Sequence, residues 1–520
     1  MSGAAGRRVA VLVALATVGT LGVVAFALWG PLPLRVDDWK WYRTVDQAWD
    51  RATYPLAIYA LIGVVAVVGW PRVARMRALR EALLVMSLGL LAFLGQLMAA
   101  RQSPGDYNDS LIAVALPGAN RYHQAARAAG KQYGSLGAAL RGYSLWMREQ
   151  SGAGAKLIVT HPAGPLTLYW CLNQVYAGNE AGARRFLRRC EAWLASGESV
   201  RESLRTTAAA DLFRDMSDGE LAGAWLATLL LRLAASLVVA PVYAMARGLH
   251  GRQTALIAAA FAAAVPSLVL YSPGLDQSFP VLAATACWLG WSAGQRRSHL
   301  RAGLAGLVVS VGLFFSLSFA VVGIWASLLA VAGLWRREAR PRARDVGTLA
   351  AAGMAGLLAP VLLLLVAVGY NSFAVWLRCL AANAQFNAQA GRAYWKWVLV
   401  NPAEFLVFLG VPVACLFVWR AASQAREARA RGWRDADWPT LAIAALLVLL
   451  NLSGANRGEV ARLWMFLMPG CLVAAAAQLD RCAPYRRAVF VSLFALQAVQ
   501  VIAFRASLDV LLGMYYHWPG

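Results

Sequence analysis

Charged residues are scarce in this sequence. They make up 14% of the 520 residues, with 26 acidic against 49 basic side chains and only five histidines. Hydrophobic residues account for 60% of the chain, and the mean hydropathy is +0.53. A soluble domain does not need so much apolar surface and would hardly stay in solution with it, so a soluble globular protein is not expected.

Repeats, heptads and low-complexity tracts are also absent, and none of the seven cysteines forms a Cys-x-x-Cys pair. Several cysteines lie inside apolar runs, and we interpret them as small buried residues. The sequence does not decide whether Cys171 and Cys190 form a disulfide bridge, because both fall in one long segment that we place outside the cytoplasm.

Apolar runs recur along the whole chain and are separated by short arginine-rich stretches. The formal charge of +23 would suit a nucleic-acid partner, but these arginines cluster at the ends of apolar runs, where they set membrane topology. We therefore expect no nucleic acid. The clusters lie at 7–8, 72–80, 247–252, 296–301, 336–344, 420–434 and 481–487.

Placing these clusters in the cytoplasm predicts an all-α polytopic membrane protein with a cytoplasmic N-terminus and about 13 transmembrane helices of the usual ~20 residues. The first apolar run resembles a signal sequence, but it is long and other spans follow it at once, so we expect it to be retained. The expected membrane is a bacterial inner or plasma membrane. The predicted spans are 9–30, 54–70, 83–100, 221–245, 254–271, 279–293, 302–315, 317–334, 346–369, 404–418, 439–451, 463–479 and 489–504.

Segment 101–220 is much longer than a connection between two spans needs to be, which favours a functional role. Tyrosine, tryptophan and leucine are spaced among arginines over 122–146 and 183–204, a pattern typical of helices that lie at the membrane interface. With the N-terminus inside, this segment lies on the non-cytoplasmic face.

Polar side chains that could carry chemistry fall in the segments predicted to reach that same face. Carboxylates at the mouth of a helix bundle suit a general base or a cation, and arginines suit a phosphate, which they bind bidentately. The candidates are Asp37-Asp38, Asp106 and Asp109, Asn120 to His123, His161 in Thr160-His161-Pro162-Ala163-Gly164-Pro165, Asp276-Gln277, and Arg457, Glu459 and Arg462.

Each candidate also has a purely structural interpretation. Asp106 and Asp109 could cap a helix, His161 before a proline could shape a turn, and Arg462 could reach to the interface. The Asp37-Asp38 pair sits among tryptophans and a tyrosine, as in an interfacial aromatic belt.

The order of the features is more specific than any one of them. An acidic loop is followed by outer helices, the His161-Pro162-x-Gly164-Pro165 segment, a Leu275-Asp276 turn and a late pair of outer arginines. This order resembles the GT-C superfamily of polyprenyl-phosphate-dependent glycosyltransferases, in the branch that includes protein O-mannosyltransferases and aminoarabinose transferases. The resemblance covers most of the chain from about Leu83 onward.

The resemblance implies a membrane-bound hexosyl or pentosyl transferase. It would move a sugar, with inversion, from a polyprenyl-phosphate donor to a lipid, glycan or protein acceptor in the cell envelope. Matching positions make Asp106 or Asp109 the base and Asp276 a second carboxylate. Basic side chains would stabilise the leaving phosphate. The implied substrate-binding residues are Asn120, Tyr122, His161, Gln277, Arg457, Glu459 and Arg462.

On this basis we divide the chain into two N-terminal helices (1–81), a GT-C-like catalytic module (82–369) and a C-terminal group of helices (370–520). The family's usual acid before an aromatic residue is replaced here by Asn120. That departure keeps a non-catalytic protein of the same fold as an alternative, and a multi-pass transporter or flippase is the main rival to an enzyme. No cofactor is required by the sequence, although outer carboxylates could take a divalent cation.

Overall fold

The fold was analysed on a computed structural model. It describes residues 2–30, 41–44, 49–102, 106–115, 122–150, 158–194, 215–338, 341–389, 391–432 and 436–510. Asn120 and the Asp37-Asp38 pair lie outside these residues, and of Asp106 only the backbone is described.

The first part of the chain forms three long helices and then a group of shorter ones within the long segment. Helices that we predicted over 122–146 and from 183 onward are confirmed up to Leu194, and residues 195–214 lie outside the described part. These elements are α1 Ser2–Trp29, β1 Tyr42–Arg43, α2 Thr53–Val73, α3 Ala78–Ala100, α4 Asp106–Ala115, α5 Tyr122–Tyr133, α6 Leu136–Gln150, α7 Gly164–Gln174 and α8 Glu180–Leu194.

The rest of the chain is a series of helices joined by short turns. A two-residue strand near the C-terminus pairs antiparallel with β1, with Tyr42 opposite Asp509. These elements are α9 Asp218–Leu237, α10 Val239–His250, α11 Arg252–Ala262, α12 Pro266–Leu270, α13 Phe279–Arg296, α14 His299–Phe315, α15 Phe319–Arg337, α16 Ala343–Val368, α17 Ser372–Gln389, α18 Tyr394–Leu409, α19 Val411–Arg431, α20 Trp438–Ser453, α21 Val460–Leu463, α22 Met468–Asp480, α23 Arg486–Ser507 and β2 Leu508–Asp509.

The prediction of an all-α polytopic membrane protein is confirmed. Within the described ranges, eight helical segments are long and apolar enough to cross a membrane, or nine if one bent pair counts as a single span. The predicted figure of about 13 spans is larger because it included shorter apolar helices, among them His299–Phe315, Trp438–Ser453 and Met465–Asp480. The predicted break after Phe315 is confirmed, since α14 ends there and α15 begins at Phe319.

The predicted span 404–418 is wrong as a continuous helix. The chain bends by 117° between α18 and α19. The break falls at Gly410, whose φ of +102° is rarely adopted by residues with a side chain. A Cβ atom at this position would lie 2.0 Å from the amide nitrogen of Gln497. Glycine therefore allows both the turn and the close approach of α23.

Small residues bring neighbouring helices into close contact. A Cβ at Gly306 of α14 would lie 1.9 Å from the carbonyl oxygen of Gly353 in α16, and one at Gly294 of α13 would lie 2.0 Å from the carbonyl of Ala330. In lipid, association depends on such packing rather than on a hydrophobic driving force, because the tails are as apolar as leucine.

The basic clusters of the sequence meet at one end of the bundle, which we call the basic end. Glu81 of α3 lies 3.2 Å from both Arg247 and Arg252, and it also accepts a hydrogen bond from the hydroxyl of Tyr243 at 2.6 Å. Arg336 donates to the carbonyl of Leu249 in the same region. The basic clusters at 72–80, 247–252 and 336–344 therefore lie at the same end of the bundle.

Arg232 is the ionisable residue that the sequence left unexplained inside a predicted span. It is fully buried in α9, and its Nη2 donates a hydrogen bond to the hydroxyl of Ser110 in α4. This hydrogen bond connects α9 to α4, which belongs to segment 101–220. All seven cysteines are free, including Cys171 and Cys190, so no bridge joins that pair.

Candidate functional site

A cavity of about 240 Å³ lies at the end of the bundle away from the basic end. The direction of the chain explains this position. The candidate span Arg252–Leu270 begins on the basic end with α11, so the turn Leu275–Ser278 that follows it lies at the opposite end. The cavity is lined by that turn, the residues between α14 and α15, one face of α17 and the loop after α20. Its polar lining includes His161, Asp276, Asn383, Asn387, Arg392, Asn456, Arg457, Glu459 and Arg462.

Arg462 joins two carboxylates across this cavity. Its Nη1 lies 3.3 Å from Oδ2 of Asp276, and its Nη2 donates to Oε2 of Glu459 at 2.8 Å. Glu459 in turn accepts from Nη2 of Arg392 at 3.2 Å. Four charges of alternating sign therefore connect three segments that are distant in sequence.

The loop that presents these charges has an uncommon backbone. Glu459 has a φ of +57°, in the left-handed region that non-glycine residues rarely occupy, and it follows Gly458 at +90°. The carboxylate of Glu404 in α18 accepts backbone N–H groups of Val460 and Ala461, which begin the short helix α21. The strained turn is thus held from behind by a buried side chain, an arrangement common at functional sites.

The two arginines also set the charge of Glu459. Burial by itself would raise the pKa of this carboxyl, but Arg462 and Arg392 outweigh that effect and hold the pKa below its usual range. Arg462 remains a cation, because Asp276 and Glu459 raise its pKa against the effect of burial.

Arg457 contributes a further cation to the same loop. Its Nη1 donates to the carbonyl of Arg392 at 2.9 Å, and Nη1 of Arg392 donates to the carbonyl of Arg457 at 2.6 Å. Its guanidinium lies over the ring of Tyr394, with 5.8 Å to the centroid. Its Nε is buried and has no hydrogen-bond partner among the described residues.

Asparagines fix the shape of the loop. Asn383 and Asn387, one turn apart on α17, both donate to the carbonyl of Ala455 at 3.1 Å. Asn401 of α18 donates to the carbonyl of Asn456 at 3.0 Å and accepts from the backbone N–H of Gly458 at 3.1 Å. These bonds satisfy loop groups that no regular element would pair.

His161 forms the wall opposite the arginines. Its Nδ1 lies 3.0 Å from the hydroxyl of Thr160, and its carbonyl accepts from the hydroxyl of Tyr143 at 3.0 Å. Tyr122 packs edge-on against the imidazole with 5.6 Å between ring centroids. Burial and the nearby Asp276 raise the pKa of the Tyr122 phenol, so it stays neutral and acts as a polar but uncharged neighbour.

Close packing against α14 explains the glycine of the His161-Pro162-x-Gly164-Pro165 segment. Gly164 begins α7, and a Cβ there would lie 2.4 Å from the carbonyl oxygen of Phe314 at the end of α14. Pro165 follows in the first turn, where a missing N–H costs nothing. The segment therefore sets His161 against the cavity by close contact with α14.

The structure brings together most of the residues singled out from sequence. His161, Asp276, Arg457, Glu459 and Arg462 line the cavity, and Tyr122 stands behind His161.

Two further candidates lie elsewhere. Asp109 is buried on α4, within electrostatic range of Arg505, and does not line the cavity. Gln277 is buried next to Asp276, with its amide nitrogen donating to the carbonyl of Leu268.

Sequence reasoning missed Arg392 and the supporting asparagines. Arg392 shares the aromatic stretch Gln389 to Trp397 only with Lys396, and it belongs to no arginine cluster. That isolation was the available signal, because an arginine outside the topology-setting clusters needs another reason to be there. The asparagines gave no signal beyond the spacing of Asn383 and Asn387 by one helical turn.

No group of three or more His, Cys, Asp and Glu side chains that could hold a metal ion occurs among the described residues. The carboxylates of the cavity are instead paired with arginines, which supply the positive charge that a cation would otherwise bring.

No protein-family model matches the chain, and no curated protein matches it in sequence. Its fold is similar over part of its length to the crystal structure of the Archaeoglobus fulgidus oligosaccharyltransferase complex with Zn and sulfate, with a TM-score of 0.34 and 13% identity. The match covers 57% of this chain and 42% of that protein. A TM-score this low supports no comparison of residues. The fold and the cavity define an integral, multi-pass membrane protein with a charged site at one end of its helices.

Proposed function

We propose that this protein is an integral membrane glycosyltransferase that moves a sugar from a polyprenyl-phosphate donor to an acceptor hydroxyl, with inversion at the anomeric carbon. The observation that carries the proposal is the meeting of Arg392, Arg457 and Arg462 with the carboxylate of Asp276 in one cavity. Such a site combines groups for a phosphate leaving group with a group that can take a proton.

The arginines suit the phosphate. Three guanidinium groups face two carboxylates, Asp276 and Glu459, so the charged lining contributed by the described residues carries a net charge of 3 − 2 = +1. Arg457 keeps a buried donor without a partner among the described residues, and its planar group can bind two phosphate oxygens. Charge that develops on the leaving phosphate would be stabilised by these fixed donors.

Asp276 is the carboxylate best placed to act as the base. In the proposed step, the acceptor oxygen attacks the anomeric carbon from the face opposite the phosphate. The carbon–oxygen bond to phosphate breaks, and polyprenyl phosphate leaves with the bonding electrons. The acceptor proton passes to Asp276, which Arg462 orients.

The proposal changes the role that the family resemblance gave to Asp109. That carboxylate lies outside the cavity lining, and Arg505 is its electrostatic neighbour. We assign it to the packing of α4. His161 and Tyr122 would shape the sugar pocket, since His161 lines the cavity and Tyr122 packs against its ring.

The sidedness of the reaction follows from the arginine clusters. Contacts such as Arg252 with Glu81 and Arg481 with Glu427 gather these clusters at one end, which the positive-inside rule assigns to the cytoplasm. The cavity would then open on the non-cytoplasmic face, where a donor made inside is presented after translocation.

The test is transfer by the purified full-length protein in lipid vesicles supplied with a panel of polyprenyl-phosphate hexoses and pentoses and hydroxyl acceptors. We expect one donor to release polyprenyl phosphate only when an acceptor is present. If no donor on the panel binds and none reacts, the proposal fails.

A further inference from the structure

A second, larger cavity lies at the basic end, on the periphery of the helix bundle. It is a cleft of about 1220 Å³ between α1 and α19, and Leu406, Val407 and Gln478 also line it. Small-molecule pockets occupy roughly 300–1,000 Å³, so the cleft has room for a longer ligand.

The walls of this cleft are apolar and open sideways. Val11 and Leu15 of α1 are 57% and 62% exposed, and Val418 of α19 is 48% exposed. Both helices belong to candidate spans, so these side chains face the hydrocarbon region of a membrane. Such apolar walls suit an acyl chain, which consists of methylene groups.

The mouth of the cleft is basic. Among the described residues, its charged lining consists of Arg7, Arg8, Arg426 and Arg481 against the carboxylate of Glu427, a net charge of 4 − 1 = +3. Glu427 is already bound by Arg481, with 2.6 Å between Nη1 and Oε1. The positive charge that remains is therefore carried by the other three arginines.

A hydrogen-bond acceptor is left unpaired at the same place. The Oε1 atom of Gln478 is buried and has no hydrogen-bond partner among the described residues, although Gln478 lines the cleft. A buried acceptor without a partner is costly, and a hydroxyl on a bound headgroup would satisfy it.

We propose that the cleft between α1 and α19 binds an anionic glycerophospholipid, with an acyl chain along the apolar walls and the phosphate between Arg8 and Arg426. Charge complementarity selects the anionic headgroup, and the apolar walls select a lipid over a free phosphate. The site is separate from the cavity around Arg462, so this proposal does not depend on which reaction occurs in that cavity.

The probe is phosphatidylglycerol, compared with phosphatidylcholine, added to the purified full-length protein in detergent and counted as bound lipid by native mass spectrometry. The variant is Arg8→Gln with Arg426→Gln, and the matched control is Arg429→Gln with Arg487→Gln. The control removes the same charge from exposed residues at the same end that do not line the cleft.

We expect phosphatidylglycerol to bind in preference to phosphatidylcholine. The cleft variant should bind it about twenty-fivefold more weakly, because each arginine near an anionic lipid contributes about fivefold. The control should bind like the parent protein. Ala422→Trp, which fills the cleft and leaves every charge in place, should also lose the lipid.

Three results would overturn the assignment. They are equal binding of the two lipids, parental affinity in both the cleft variant and Ala422→Trp, and displacement of phosphatidylglycerol by an equimolar amount of polyprenyl phosphate. The last would assign the cleft to the carrier lipid instead.

Discussion

Arg462 and Asp276 face each other across the cavity, with 3.3 Å between Nη1 and Oδ2, although they lie 186 positions apart in the chain. Asp276 lies in the turn between α12 and α13, and Arg462 lies in a four-residue helix that follows a strained loop. The pair connects these two segments at the place where the reaction is proposed. Its removal is therefore the first prediction.

Replacing Arg462 by glutamine should lower the transfer rate by roughly 10²–10³-fold, the usual cost of removing a donor that stabilises a developing negative charge. The substitution also leaves Asp276 without its ion-pair partner. Steady-state kinetics with the reactive donor would measure the effect. Arg420→Gln is the matched control, because it breaks a buried pair with Asp437 at the basic end, away from both cavities, and should leave the rate unchanged. Equal losses in the two variants would indicate a general effect on folding.

Arg457→Gln should weaken the binding of polyprenyl phosphate by about 10–100-fold, since hydrogen bonds to charged groups contribute roughly 1.5–3 kcal/mol. Its guanidinium lines the cavity and would donate to the phosphate. Titration of the lipid phosphate against protein tryptophan fluorescence would give the affinity. Lys396→Gln removes the same charge nearby, outside the cavity lining, and should bind as the parent does. Similar weakening in both would mean that overall charge, rather than this contact, governs binding.

His123 should make the protein sensitive to acid. It is fully buried on α5, and burial together with Arg127 lowers its pKa from 6.5 to about 4. The unfolded chain takes up the proton below about pH 6.5, whereas the folded protein resists it until about pH 4. Stability is therefore complete above that range and falls by roughly 3 kcal/mol across it.

Thermal unfolding between pH 7.5 and pH 4 would measure this slope. His123→Gln keeps a donor for Asn173, whose side-chain oxygen lies 3.0 Å from Nε2, and should be less sensitive to acid than the parent. His299→Gln alters an exposed histidine and should retain the parental slope. An unchanged slope in His123→Gln would show that other groups cause the acid sensitivity.

Gly164→Ala should destabilise the protein by about 1–3 kcal/mol, because the added methyl group would lie 2.4 Å from the carbonyl of Phe314. Gly137→Ala is the matched control within a helix, since its Cβ would meet nothing within 4 Å and alanine favours helices. Differential scanning fluorimetry in detergent would compare them. A loss of stability in the control alone would contradict the packing described for α7.

The helical membrane fold and most of the cavity could be predicted from the sequence. Long apolar runs and clustered arginines identify spans because the membrane requires them, and Asp276, His161 and Arg462 stood out as polar residues at predicted ends of spans. The bend at Gly410 could not be predicted, because the approach of Gln497 that requires a glycine there is a contact between distant residues.

The choice among carboxylates also depended on tertiary packing. Asp109 and Asp276 are equally prominent in the sequence, but α4 buries Asp109 near Arg505, whereas the turn before α13 sets Asp276 beside Arg462. Arg392 escaped notice because it forms no motif, and its role comes from contacts with Arg457 and Glu459.

The account is tested most directly by transfer assays on Asp276→Asn and Asp109→Asn, each purified in lipid and checked for the parental melting temperature. If Asp276 takes the acceptor proton, its variant should lose about 10²–10⁴-fold in rate with donor affinity retained, and the Asp109 variant should stay within a few-fold of the parent. Full activity in Asp276→Asn, with the loss found in Asp109→Asn instead, would contradict it.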